Sequence, residues 1–116
     1  MQFSKDYKKI KGDASFRKFY KNKKTKSILV YAKKEKNKNL LIYDAINKIL
    51  IKNGVIAPKL LRQNYKKNYI EIEDLGDKTI YQSFLKKKKN HYLIFKKVIK
   101  ILNKIQTIKN KEIKNF

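Results

Sequence analysis

The feature that most limits what this chain can fold into is the shortness of its apolar runs. Lysine or asparagine interrupts the sequence every few residues, and Ser27-Ile28-Leu29-Val30-Tyr31-Ala32 has the length and β-branching of a central strand. Before it, Tyr7 to Lys11 and Phe16 to Tyr20 alternate aromatic or aliphatic residues with polar ones, and Gly12-Asp13 sits between them as a turn pair. These segments predict three antiparallel strands in meander order, with the polar break Asn22 to Lys26 as the second turn.

After the meander the period changes. Ile42, Tyr43, Ile46, Ile49 and Leu50 recur at three- and four-residue spacing, which predicts a helix capped by Asn39, with those residues as its apolar face and Gly54 as its end. Pro58 sets the chain extended. Lys59 to Gln63 and Tyr69 to Glu73 read as two further strands, joined by a turn from Tyr65 to Asn68. Thr79 can cap a short helix through Leu85, and a longer helix from His91 to about Ile108 is expected to turn Phe95, Val98, Ile99, Leu102 and Ile105 inward. The element order predicts an α+β fold: a five-stranded antiparallel sheet with one inserted helix, followed by two helices.

The charge is one-sided. In 116 residues, 32 Lys and Arg stand against 9 Asp and Glu, a formal net charge of +23. Such a density gathers polyanions by counterion release, and eight Tyr and six Phe could stack on bases. A small basic nucleic-acid-binding protein is therefore the alternative reading. Against it, only Arg17 and Arg62 supply the guanidinium fork that phosphate and base-edge recognition favours, and the aromatics fall mostly on apolar faces. The surplus of Lys, Asn and Ile is also what an AT-rich coding sequence produces. With no Cys there is no disulfide framework or thiolate metal site, and one His makes no cluster. No apolar run approaches the roughly 20 residues that cross a bilayer. The N-terminus has no apolar core behind its charges, so the expected location is the cytoplasm, with no membrane partner.

Two strings carry more specific information. Gly12-Asp13-Ala14-Ser15-Phe16-Arg17 places a Gly and small residues at a hairpin tip, where backbone amides can approach phosphate oxygens. Tyr69-Ile70-Glu71-Ile72-Glu73-Asp74-Leu75-Gly76-Asp77 is a strand running into two acids and a Leu-Gly break. With Ala57-Pro58-Lys59-Leu60-Leu61 between them, the strings resemble the N-terminal lobe of the aminoglycoside phosphotransferase-like kinases. Within that family the similarity is greatest to the bacterial anomeric kinases of N-acetylmuramate and N-acetylglucosamine, which serve cell-wall sugar recycling. The resemblance covers approximately Lys11 to Gln82, and more loosely the helix up to Ile108.

The resemblance implies an ATP site built from particular positions. Gly12, Asp13, Ala14 and Ser15 would fold over the phosphates, with the Ser15 hydroxyl and nearby amides as donors. Arg17 would pack on the sheet or help to hold the phosphates. Lys33, which follows Ala32 at the end of the third strand, would reach the α- and β-phosphates. Asp44 is expected on the solvated side of its helix, or paired with that Lys. Glu73, Asp74 and Leu75 would form the hinge to a second lobe, the backbone of Glu73 and Leu75 pairing with the adenine edge. The turn around Ala14 and the crossover near Leu75 would then converge as two sides of one nucleotide cleft.

The same resemblance implies residues 1–76 as the nucleotide-binding lobe and 77–116 as the hinge and helices leading to a second lobe. ATP and Mg²⁺ are the implied cofactors, and an amino sugar is the acceptor only in the intact enzyme. The Mg²⁺ ligands, the Asp that handles the acceptor hydroxyl and the sugar pocket are expected in the second lobe, because no His-Gly-Asp type loop occurs here. Family members are much longer, so the chain reads as a truncated form or fragment, without catalysis of its own. A degenerate remnant with no function is the third reading.

Overall fold

A computed structural model of the chain describes residues 4–11, 16–32, 37–77, 79, 82, 85, 86 and 90–109. Five strands form one antiparallel sheet: β1 (Tyr7–Ile10), β2 (Lys18–Asn22), β3 (Ser27–Tyr31), β4 (Leu60–Asn64) and β5 (Tyr69–Glu73). Their order is β1-β2-β3-β5-β4, so the last strand in the chain lies inside the sheet, between β3 and β4. Helix α1 (Asn37–Lys52) connects β3 to β4, and helix α2 (His91–Gln106) follows the sheet.

The sequence patterns explain most of these elements. Val30, Ile70 and Ile72, with Ala32 just beyond β3, form the core with Leu40 of α1, flanked by Phe19, Ile28, Tyr43, Leu60 and Tyr65. The register sets Phe19 opposite Val30, Val30 opposite Ile70, and Ile28 opposite Ile72, so these side chains share the face that α1 covers. Leu29 of β3 points the other way and is buried as well, as expected of a central strand.

Helix α1 stops where a left-handed residue permits it to. Gly54 has φ +78°, its amide donates to the Ile51 carbonyl at 3.1 Å, and the Val55 amide donates to the Leu50 carbonyl at 2.9 Å. This pair of bonds is a Schellman cap and satisfies the last carbonyls of the helix. Between β4 and β5, Tyr65–Lys67 form a 3₁₀ turn whose Lys67 amide donates to the Asn64 side chain, and Asn68 takes the left-handed conformation. Thr79 and Gln82 exchange bonds: the Gln82 amide donates to Thr79 Oγ1 at 3.1 Å and the Thr79 amide to Gln82 Oε1 at 3.2 Å. That is a capping box at the expected Thr, although most of the short helix lies outside the described residues.

Several expectations are corrected. The β1–β2 connection runs from Lys11 to Arg17 and is therefore longer than a two-residue turn at Gly12-Asp13. Asn39 lies inside α1, which begins by Asn37. The apolar face of α1 is rotated: Leu40, Asp44 and Asn47 are buried, whereas Ile42 and Ile46 are 38% and 47% exposed. Apolar residues occur all round this helix, so spacing alone permits two faces. The sheet takes the line through Leu40, leaving polar groups inside.

That choice leaves a cost that can be measured. The Asn47 side chain is buried and its Nδ2 has no hydrogen-bond partner among the described residues. Removing a buried unsatisfied donor recovers its desolvation penalty. Asn47→Leu is therefore expected to raise the unfolding free energy by about 1 kcal/mol in urea denaturation, the reverse of an ordinary core substitution.

Helix α2 departs furthest from expectation. It has no buried residue, and Phe95, Ile99, Leu102 and Ile105, expected to face inward, are 55%, 56%, 52% and 39% exposed. The amphipathic pattern is real, but among the described residues the body of the chain does not cover it.

Candidate functional site

The strand directions decide where the two motif strings stand. Ile10 pairs with Phe19 at the end of the sheet where β5 begins at Tyr69, while Glu73 pairs with Ser27 at the other end. Gly12, Asp13, Ala14 and Ser15 lie outside the described residues, but Ile10 and Lys18 fix the end of the sheet from which their connection leaves. Leu75 follows β5 at the opposite end. The expected convergence of the turn around Ala14 with the crossover near Leu75 falls in part on residues outside the described ones; β5 runs antiparallel to β3 and ends at the end of the sheet away from Ile10. At about 3.3 Å per residue, the length of β5 separates Leu75 from the sheet end at Ile10 and Lys18 by more than about 10 Å, so a ligand reaching from one end to the other lies along the strands, a span an extended nucleoside triphosphate has.

The face on which it could lie is defined by α1. The helix packs over β3, β5 and the 3₁₀ turn with Phe19 of β2 at its margin, and among the described residues Lys8 and Ile10 of β1 remain exposed on the same face. Lys8 and Lys21, directly opposite each other, belong to that face with Ile10 and Phe19. A cavity of about 280 Å³ opens there, lined by Lys5, Asp6, Lys8, Ile10, Lys21, Lys23 and Lys24. Its walls are largely lysine methylene stems, with ammonium groups at the rim.

The β5 end of this trough is held by a small charge network. Lys21 Nζ donates to Asp77 at 2.9 Å and lies 3.3 Å from Asp74, and both carboxylates raise its pKa, Asp77 more than Asp74. The Gly76 amide donates to Asp74 Oδ1 at 2.8 Å; this bond, opposed by burial and aided by Lys21, holds the Asp74 carboxyl below its ordinary range. The Asp74 amide donates to the Lys26 carbonyl at 3.0 Å and the Glu73 amide to the Lys59 carbonyl at 2.9 Å. Of the two residues expected to present backbone to adenine, Glu73 has its amide engaged. The Leu75 amide donates to no acceptor among the described residues, and the residue is 54% exposed.

The other sequence-derived positions resolve unevenly. Lys33 lies outside the described residues. Asp44 is not solvated: it is 3% exposed, faces the sheet from the middle of α1, and binds Lys48 Nζ at 2.8 Å. Arg17 places its guanidinium 5.2 Å from the centre of the Tyr43 ring, a contact with α1 rather than with the sheet.

On the opposite face lies a cluster that sequence reasoning missed. Glu71, paired with Leu29 across the sheet, is 3% exposed. Its carboxylate accepts from the Tyr7 hydroxyl at 2.9 and 3.0 Å, from Ser27 Oγ at 2.5 Å, from Arg62 Nε at 2.8 Å, and from Arg62 Nη2. Arg62 Nη2 also donates to the Tyr7 hydroxyl at 2.8 Å. Burial pushes the Glu71 pKa up, but the Ser27, Arg62 and Tyr7 hydrogen bonds outweigh it and hold the carboxyl below its usual range. With three donor residues around one carboxylate, the cluster is a clamp between β1, β3, β4 and β5. Its one sequence signal was Arg62, one of only two Arg in a chain that otherwise uses Lys.

No family model, no curated protein and no solved structure matches the chain. Among the described residues, no helix is long and apolar enough to cross a membrane.

Proposed function

We propose that this chain is the nucleotide-binding lobe of a kinase-like phosphotransferase that resembles the cell-wall amino-sugar kinases. The observation that carries the reading is the trough on β1 and β2, on the sheet face that the helix inserted between β3 and β4 partly covers, with Lys21 of its lining bound to Asp74 and Asp77 on either side of Leu75 in sequence. Adenine would sit at the Leu75 end, where the amide supplies a donor, and the phosphates would extend along the strands toward Gly12 to Ser15. One further feature supports it: buried Asp44 stands on the inserted helix where a kinase-like lobe carries an acid to orient a phosphate-binding lysine.

The division of labour follows from the residues. This lobe binds and orients the nucleotide, and the acceptor sugar and catalytic acid belong to a second lobe. The residues that would hold Mg²⁺ belong to that second lobe as well. In the intact enzyme the bound metal would neutralise charge developing on the transferred phosphoryl group.

The Leu75 amide provides the test. Leu75→Pro deletes that donor without breaking a described hydrogen bond. The expected result is a loss of affinity for a fluorescent adenine nucleotide of about fivefold, one hydrogen bond's worth, with thermal unfolding and binding of inorganic triphosphate unchanged. Equal nucleotide affinity in both proteins contradicts the reading.

A further inference from the structure

We propose that α2 docks on anionic lipid bilayers, lying flat with its apolar arc in the boundary between headgroups and acyl chains. The inference is independent of the nucleotide reading. Tyr92, Ile99, Leu102 and Ile105 lie along one side of the helix and are all exposed, Tyr92 by 71%. Lys96, Lys97, Lys100 and Lys104 occupy the other side. Lys104 donates from that polar side to the Gly54 carbonyl at 3.4 Å, which turns the apolar arc away from the body of the chain.

Charge selects the occupant. From Lys78 to Lys109 the sequence carries ten lysines and no acid. A second copy would bring the same positive charge against itself, and a nucleic acid would neutralise the lysines while leaving Ile99 and Leu102 in water. An anionic bilayer satisfies both sides at once: lipid phosphates meet the lysines, and the acyl boundary takes the aliphatic arc. At 1.5 Å per residue, the 16-residue helix is about 24 Å long, short of the roughly 30 Å hydrocarbon core, so it lies in the interface rather than across it.

The full chain, sedimented with phosphatidylglycerol/phosphatidylcholine vesicles at near-physiological salt, is expected to bind them, and to bind pure phosphatidylcholine vesicles far less. In a Tyr92→Trp variant the tryptophan emission should shift to the blue on binding. Ile99→Asp with Leu102→Asp is expected to reduce partitioning by at least about tenfold. Lys96→Gln and Lys100→Gln should each reduce it by roughly fivefold, the equivalent of about 1 kcal/mol per lysine near the lipid surface. These side chains are exposed, so unchanged thermal unfolding of the variants excludes loss of fold as the cause. Three outcomes overturn the proposal: no binding to phosphatidylglycerol vesicles; binding that survives the Asp substitutions but vanishes with salt, which is charge adsorption only; or a lipid-free dimer that those substitutions dissociate, which assigns the arc to a second copy.

Discussion

Glu71→Ala is expected to lower the unfolding free energy by about 3 kcal/mol at neutral pH, measured by urea denaturation. The substitution leaves Ser27, which is fully buried, and the Tyr7 hydroxyl without their shared acceptor, and frees Arg62 from the clamp. The pair is not sealed from water, because the Arg62 side chain is 67% exposed, and this keeps the expected loss below that of a fully buried ion pair. The pH dependence distinguishes a clamp from a simple packing defect. A carboxyl whose native pKa is depressed contributes its stability in full above the ordinary carboxylate range and loses it as pH falls through the native value. The gap between the wild type and Glu71→Gln should therefore be constant above about pH 5 and narrow in acid. A gap that is flat down to strongly acid pH would mean that the carboxylate charge adds nothing.

The second large effect is expected at the centre of the sheet. Ile70 is fully buried, stands opposite Val30 and packs against Leu40 of α1. Ile70→Ala removes those contacts and leaves a cavity that β3, β4 and α1 can only partly close, costing about 3–4 kcal/mol. In a domain this small that is a large fraction of the total stability. Ile70→Val, which deletes one methylene, should cost only about 1 kcal/mol. Equal losses for the two substitutions would show that the site collapses around the smaller side chain, and that β5 is less rigidly held than its central place implies.

The strands and helices were legible because each carries its own period. Alternation marked β1, β2 and β5, the unbroken run marked β3, and Gly54 and Thr79 announced their caps through chemistry confined to a few neighbouring residues. What the sequence concealed was which face each element turns inward. The alternation Tyr69-Ile70-Glu71-Ile72-Glu73 puts Glu71 on the polar side, yet Arg62 and Tyr7, 9 and 64 residues away, fold over it and bury it. In α1 the apolar residues run all round, so the choice of Leu40, Asp44 and Asn47 depends on how the helix meets the sheet. In α2 the stripe was read correctly and its burial was not, because amphipathicity states that a face needs a partner without naming one. Of the expected nucleotide residues, Asp74 is tied to the trough through Lys21. The trough's lysines at positions 5, 8, 21, 23 and 24 were indistinguishable in sequence from the other 25.

The central claim is that one nucleotide lies along the trough on β1 and β2, with its base at Leu75. Two-dimensional amide NMR of the ¹⁵N-labelled chain titrated with Mg-ATP tests it most directly. The account predicts shifts at Ile10, Phe19, Lys21 and Leu75 together, with inorganic triphosphate reproducing those near the β1–β2 connection but not that of Leu75. Absence of shifts at millimolar nucleotide, or shifts spread over the lysines of α2 and matched by inorganic triphosphate, would contradict it.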